Sequence, residues 1–295
     1  MPVDLLTNDN AANPDAPEII KIVSASHPVH GTVIITGGGT GLSYRPGTNY
    51  FGSDTFTYTI SDGVFTSTAS VLVKVPKDTY KPVATAPLQT FTAQTIGTST
   101  VRARLTWTGT DKGYGISKFE LWRSINGHSY TKVVTTTGHQ AYMTLNVGTS
   151  YRFRVRAIDK KANVGAFAYG PKFTVYRYQE NSSSAAYSSP WTNLNSSAYS
   201  GGHARGTSTA GFDVTFTTLG RTLAFVTDVA PSRGTADVYI DGVLTAHLTL
   251  TQSITKYRYL AYSITFASSA VHSMRIVYTG GPTKRVDADA FIFLR

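Results

Sequence analysis

Apolar residues in this chain recur at every second position in segment after segment. Phe56, Tyr58 and Ile60 alternate with threonines. Val101, Ala103, Leu105 and Trp107 alternate with Arg102, Arg104 and Thr106. Tyr151, Phe153, Val155 and Ala157 alternate with Arg152, Arg154 and Arg156. Successive side chains of a strand point to opposite faces, so each apolar set predicts a core face and each polar set a solvent face. A helical period is hard to find anywhere, and Thr, Ser, Val, Tyr and Gly dominate. The expectation is an all-β chain. Its 295 residues suffice for two or three domains, each large enough for its own core.

Composition removes several function classes. Cysteine is absent, so neither disulfides nor thiolate chemistry is available. Only three Glu occur, Glu18, Glu120 and Glu180, and none lies in a motif that sets it opposite an Asp across a cleft, as glycoside hydrolysis requires. No His-Glu-x-x-His and no Gly-x-Ser-x-Gly elbow is present. The reading is non-catalytic. No apolar stretch is long enough to cross a membrane as a helix, so no membrane insertion is expected. The opening Met1-Pro2-Val3-Asp4 lacks a secretory leader, which leaves an intracellular chain or, as the preferred expectation, a piece of a longer secreted protein.

Charge is uneven. The chain carries net +10; residues 1–76 carry −3, residues 77–176 carry +10 and residues 177–295 carry +3. Arg152, Arg154 and Arg156 form a stripe, with Lys118, Glu120 and Trp122 expected on the neighbouring strand. The plain reading is a solvated ladder in which Glu120 pairs with an Arg and Trp122 lies under a guanidinium. The sharper one is a contact for an anionic polymer. No recognition helix or nucleic-acid module accompanies the stripe, so no specific nucleic-acid recognition is expected.

In the first segment, strands are expected over residues 32–36, 54–60 and 70–75. Gly37-Gly-Gly-Thr-Gly41 reads as a hairpin tip, not a phosphate loop, since no helix and no Lys-Ser/Thr follows. Asp62-Gly63 reads as a type I′ turn. His30-Gly-Thr-Val-Ile-Ile-Thr-Gly-Gly-Gly-Thr-Gly-Leu-Ser-Tyr-Arg-Pro46 and Tyr50-Phe-Gly-Ser-Asp-Thr-Phe-Thr-Tyr-Thr-Ile-Ser-Asp-Gly63 resemble the cadherin-like tandem repeats of bacterial surface adhesins. The resemblance covers about 70 residues and implies an Ig-like sandwich over residues 1–76, truncated before its Leu6-Thr-Asn-Asp9 element. Many such repeats hold Ca²⁺ with Asp residues after that element, which here singles out Asp9 and Asp15; the alternative is an Asn- and Asp-capped loop.

Pro76 to Pro82 reads as a short stiff linker. Beyond it, Leu145-Asn-Val-Gly-Thr-Ser-Tyr151 resembles the tyrosine corner of fibronectin type III domains, with Val147 where many members have Pro. Trp107, Phe119-Glu-Leu-Trp-Arg123 and Ala157-Ile-Asp159 fit the same family, which implies a fibronectin type III sandwich over residues 77–176.

The last segment, residues 177–295, predicts strands over 212–219, 222–229, 236–240, 243–250, 256–266, 272–278 and 286–294, with Asp241-Gly242 a tight turn. Trp191, Tyr199-Ser-Gly-Gly202, Gly234-Thr-Ala-Asp-Val-Tyr-Ile-Asp-Gly242, His272-Ser-Met-Arg-Ile276 and Val286-Asp-Ala-Asp-Ala-Phe291 resemble the galactose-binding-like jelly rolls that include carbohydrate-binding modules. That resemblance implies a binding module for a polysaccharide or cell-surface glycan. It also implies a structural Ca²⁺ site near Asp287 and Asp289, with Glu180 supplying a further oxygen; the alternative for the two Asp is pairing with Arg285, Arg258 or Arg233. Trp191, Tyr199, His203 and Arg205 lie on Ser/Gly-rich, loop-like sequence and Arg233 on a loop tip, so these five are the expected ligand contacts. The alternative for Trp191 and Tyr199 is that they plug one end of the sandwich.

The combined expectation is three serial β-sandwiches, Ig-like, fibronectin type III and jelly roll, forming a monomeric extracellular segment that attaches a larger protein to a glycan. The rivals are a ligand-free structural stalk and an accessory tail of a secreted hydrolase.

Overall fold

A computed structural model describes residues 2–3, 19–48, 50–189, 191–280 and 284–295. Among them no α-helix occurs; the protein is all-β, with a single 3-10 turn at Ser200–Gly202. Asp9 and Asp15 lie outside the described residues. Two compact units form. Residues 1–80, 112–114 and 160–163 make the first; residues 81–111, 115–159 and 164–295 make the second.

The first unit contains β1 (Pro2–Val3), β2 (Lys21–Ala25), β3 (Gly31–Thr36), β4 (Gly41–Pro46), β5 (Gly52–Ser61) and β6 (Thr66–Val75). They pair antiparallel as β1-β4-β3 and β2-β5-β6. Leu42 and Tyr44 from one sheet meet Ile22, Phe56, Tyr58, Val73 and Val75 from the other, while Ile60 is only partly buried. The β3–β4 tip needs left-handed backbone at three consecutive positions, and Gly37, Gly38 and Gly39 supply it. The β5–β6 connection is not the expected type I′ turn. Only Gly63 has positive φ there; Asp62 instead accepts hydrogen bonds from the Val64 and Phe65 N–H groups, closing a four-residue loop.

Asp54 is buried in this unit. Burial pushes its carboxyl up, but hydrogen bonds from Tyr44 Oη (2.9 Å) and the His30 (2.9 Å) and Thr55 (3.0 Å) N–H groups outweigh that and hold it below the usual range. A depressed folded-state pKa contributes stability that is present above the unfolded value, about 3.9, and is lost as pH falls through the folded one. Asp54→Asn is therefore expected to lower the melting temperature of this unit by several degrees at pH 7, with the gap to wild type closing as pH falls below the usual carboxylate range. A gap equally wide in acid would contradict this role.

The second unit adds β7 (Val83–Ala84), β8 (Leu88–Phe91), β9 (Gln94–Thr95), β10 (Thr100–Thr106), β11 (Gly109–Thr110), β12 (Ile116–Ile125), β13 (Thr131–Thr136), β14 (Gln140–Asn146), β15 (Ser150–Asp159) and β16 (Ala168–Gln179). Beyond these come β17 (Ala185–Tyr187), β18 (Thr192–Asn195), β19 (His203–Thr207), β20 (Asp213–Val229), β21 (Thr235–Ile240), β22 (Val243–Thr249), β23 (Lys256–Tyr278), β24 (Val286–Ala288) and β25 (Ala290–Leu294). One sheet runs β13-β12-β15-β16-β25-β20-β23-β21-β22, flanked by β14-β10-β8 and β18-β19-β24.

Two pairs of expected strands merge. Residues 213–229 form the single strand β20 and residues 256–278 the single strand β23, whose mutual register slips at three places, one of them Gly220/Thr222. Such irregularities bend a strand without ending it. Conversely, the expected strand over 286–294 breaks at Asp289. Asp241 (φ 50°) and Gly242 (φ 85°) form the tight turn the sequence indicates.

β16 pairs with β15 through its first half and with β25 through its second. A single strand thus serves two cores. One core gathers Val101, Leu105, Trp107, Phe119, Leu121 and Phe153 of the middle segment, together with Ala224, Val226, Leu260, Ala290, Ile292 and Leu294 of the last. The other gathers Phe216, Phe225, Val238, Ile276, Phe291 and Phe293. Alternate residues of β25 enter opposite cores, so the whole strand is buried. Tyr151 Oη accepts the Asn146 N–H (2.8 Å), the upstream backbone bond expected at that corner.

Candidate functional site

The polar side chains converge at one end of the last segment. β18 and β19 form a short antiparallel pair in which Asn195 faces His203 and Asn193 faces Arg205. Period two puts these four on one face. With Glu180 and Asn181 they line a groove of about 390 Å³. Asn195 Oδ1 lies 2.8 Å from His203 Nδ1. The Arg205 guanidinium sits 4.7 Å from the Tyr187 ring centroid, a cation–π contact that fixes the cation over the groove. Tyr187 is fixed in turn: its hydroxyl donates to Glu180 O (2.8 Å), and its ring meets Trp191 edge-on at 5.1 Å.

Of the five ligand contacts expected from sequence, His203 and Arg205 line this groove. Trp191 (8% exposed) and Tyr199 (4% exposed) are buried and offer no open ring face. Trp191 packs in the core, and Tyr199 meets Tyr257 edge-on at 5.4 Å while its hydroxyl donates to Asp287 Oδ2 (3.1 Å). The plug reading describes both.

Arg233 is not a free loop-tip cation. It is 5% exposed and grips Asp228 through two donors, Nε at 2.8 Å from Oδ1 and Nη2 on Oδ2. Its Nη2 also lies 2.9 Å from Asp287 Oδ2. Arg285 approaches the same carboxylate, with Nε 2.9 Å from Oδ1. Burial and the Asp228 charge push the Asp287 carboxyl up, and the two guanidinium groups oppose them. Asp287 is thus paired with Arg233 and Arg285, two of the three cations that the pairing alternative names.

Asp289 faces other partners. One oxygen accepts the Ser200 N–H (2.8 Å). The other, Asp289 Oδ2, is buried without a hydrogen bond, as are Glu180 Oε2, Ser200 Oγ and Gln179 Oε1. Gly201, with φ +84°, lets the Ser200–Gly202 turn close here; a Cβ on it would meet the Gln179 amide at 3.0 Å. Burial raises the Asp289 carboxyl to about 8; the Ser200 N–H offsets part of that and the Glu180 charge adds to it. Buried polar atoms left without partners are costly. Four orphaned oxygens, two of them carboxylate, are the donor chemistry of a hard cation, which takes six to eight oxygens with water or backbone completing the shell. The set fits Ca²⁺: Glu180, Asp289, Ser200 and Gln179 would hold it, and the ion would tie the segment's first residues to its last strand.

Sequence reasoning missed Asn193, Asn195, Tyr187, Ser200 and Gln179. The signal was the paired alternation Asn193-x-Asn195 and His203-x-Arg205 about a Ser/Gly turn.

Residues 1–74 match the bacterial Ig domain family. Over 81 residues, 26% of the chain, the sequence is 41% identical to endoglucanase B of Cellulomonas fimi. The chain spans 8% of that protein's length. Among solved structures, it is similar to a family 35 carbohydrate-binding module from Clostridium thermocellum, at 12% identity and a TM-score of 0.32, over 40% of this chain and 97% of that one. A CBM36 module in complex with calcium and xylotriose aligns at 15% identity and 0.28, over 40% and 98%. An exo-β-1,3-galactanase from Phanerochaete chrysosporium aligns at 13% identity and 0.32, over 90% and 68%. With TM-scores below 0.5, none of these likenesses bears on what this chain binds.

Proposed function

We propose that this chain is a non-catalytic glycan-attachment region of a longer extracellular protein. In this reading residues 1–76 are an Ig-like repeat of the cadherin-like kind. Residues 77–176 are a fibronectin type III spacer and residues 177–295 a carbohydrate-binding jelly roll. The observation that carries it is the groove of Asn193, Asn195, His203 and Arg205, where amide, imidazole and guanidinium groups converge around a cation held over Tyr187. Such groups hydrogen-bond sugar hydroxyls from fixed positions. The partial match to an endoglucanase favours a polysaccharide ligand and an accessory role beside a hydrolase.

The test is a glycan array probed with the full chain. Binding to a neutral polysaccharide is expected, and Arg205→Ala or Asn195→Ala should weaken it at least about tenfold, the loss of one or two hydrogen bonds. Binding that both variants leave unchanged would move the site elsewhere. No binding to any glycan would favour the stalk.

A further inference from the structure

The middle segment carries a second cleft, unconnected with the groove above. It measures about 220 Å³ and is lined by Ser124, His128, Tyr130, Ser150, Arg152 and Lys172. Its cations are unusual in having no carboxylate partner among the described residues. Arg152 and Lys172 stand directly opposite each other on β15 and β16. Like charges so placed repel, because facing side chains lie about 5 Å apart at Cβ. Among the described residues, neither has a carboxylate within ion-pair distance. Glu120, the carboxylate on the neighbouring β12, faces Arg156 further along and is taken by Arg156 (2.7 Å) and Lys132 (3.2 Å). The surrounding segment carries the whole chain's net charge, +10.

The walls are rigid. The Arg154 guanidinium is enclosed by four rings, with centroids of Phe167 at 3.8 Å, Tyr130 at 4.1 Å, Trp122 at 5.3 Å and Tyr169 at 5.8 Å. Arg154 therefore fixes Tyr130 as a wall. Arg152 stays exposed; its Nε donates to Gly170 O (3.1 Å), and its guanidinium lies 5.1 Å from the Tyr169 ring centroid, which holds it at the cleft. On the floor, Ser150 Oγ is buried without a hydrogen bond, while Ser124 Oγ donates to His128 O (2.5 Å).

We propose that this cleft is a second glycan site, one that takes the carboxylated ring of an acidic, uronate-containing polysaccharide. The carboxylate lies between Arg152 and Lys172 and relieves their repulsion. The Arg152 fork suits a planar carboxylate. Ser150 Oγ meets a ring hydroxyl, and Tyr130, held by Arg154, bounds the cleft on one side. The volume lies below the roughly 300–1,000 Å³ of sites for drug-sized ligands, so one ring enters and the polymer continues outside. Nucleic acid is the poorer fit. Single strands bind along aromatic platforms with open faces, whereas the rings here are turned onto Arg154.

The test is calorimetric titration of the full chain with penta-galacturonate, with xylopentaose and with a short oligothymidylate as competitors. Penta-galacturonate is expected to bind, more weakly as salt rises. Arg152→Gln and Lys172→Gln should each reduce the affinity at least tenfold, and Arg205→Ala should leave it unchanged, which separates this site from the terminal groove. Among the described residues the Lys172 side chain has no hydrogen bond or ion pair, so its variant remains informative should Arg152→Gln melt early. The proposal fails on any of three results: no binding of penta-galacturonate, equal affinity for xylopentaose, or tighter binding of the oligothymidylate. It also fails if neither variant changes the affinity.

Discussion

Arg233→Ala is expected to destabilise the second unit by about 3–5 kcal/mol, the cost of leaving buried charges without their partner. Asp228 and Asp287 are both fully buried, and among the described residues Arg233 is the one cation that reaches both. Arg285 would still serve Asp287, so the orphan is chiefly Asp228. Two controls separate lost pairing from lost packing. Arg233→Lys keeps the charge without the two-pronged fork and should lose less. Asp228→Asn combined with Arg233→Met removes both charges and should recover part of the loss, since a buried ion pair replaced by apolar groups is often neutral. Urea unfolding of the full chain, read on the transition of the second unit, measures all three. A loss under about 1 kcal/mol for Arg233→Ala would mean that Asp228 is solvated or protonated instead.

The network does more than stabilise. Asp287 accepts the Tyr199 hydroxyl, and Ser200, next in the chain, donates its N–H to Asp289. Arg233 thus acts at one remove on the turn that presents Ser200 to the orphaned oxygens.

Those oxygens carry the second large effect. Saturating Ca²⁺ is expected to raise the melting temperature of the second unit by about 5–10 °C. Ligand at a hundred times its dissociation constant contributes about 2.7 kcal/mol, and a domain of this size shifts about 2–4 °C per kcal/mol. Chelator should reverse the shift. Asp289→Asn and Glu180→Gln should each abolish it. Without Ca²⁺, Asp289→Asn should be at least as stable as wild type, because it removes a buried carboxyl from beside Glu180. Scanning calorimetry with and without chelator checks each point. A calcium shift that survives in both variants would place the ion elsewhere.

Much of this fold was legible because period two is a strong local signal. Val101 to Trp107 and Tyr151 to Ala157 bury the residues that the alternation marks. Two members of the Arg stripe have the partners that its plainer reading names: Glu120 pairs with Arg156, and Trp122 lies beneath Arg154. β18 was hidden because Thr192, Asn193 and Asn195 leave it one apolar residue, so nothing alternates. Arg233 read as a turn residue because its partner Asp287 is 54 positions away. The shared sheet did leave a trace. Ala290-Phe-Ile-Phe-Leu294 is apolar without interruption, the pattern of a strand covered on both faces. Half of that cover comes from the middle segment, which no reading of the last 120 residues alone could supply.

The strand that β15 and β25 both use has a practical consequence for anyone wishing to excise the last segment. A fragment starting at residue 177 keeps Arg177, Tyr178 and Gln179 beside β25 but loses Val175 and Tyr176, which pair with Leu294 and Phe293. It would present a freshly cut sheet edge, with Ala224, Val226, Leu260 and Ile292 bared beside it. An open edge next to an apolar patch is a template for self-association. Such a fragment would be troubled by poor solubility, and a failed binding assay with it would say little about sugar.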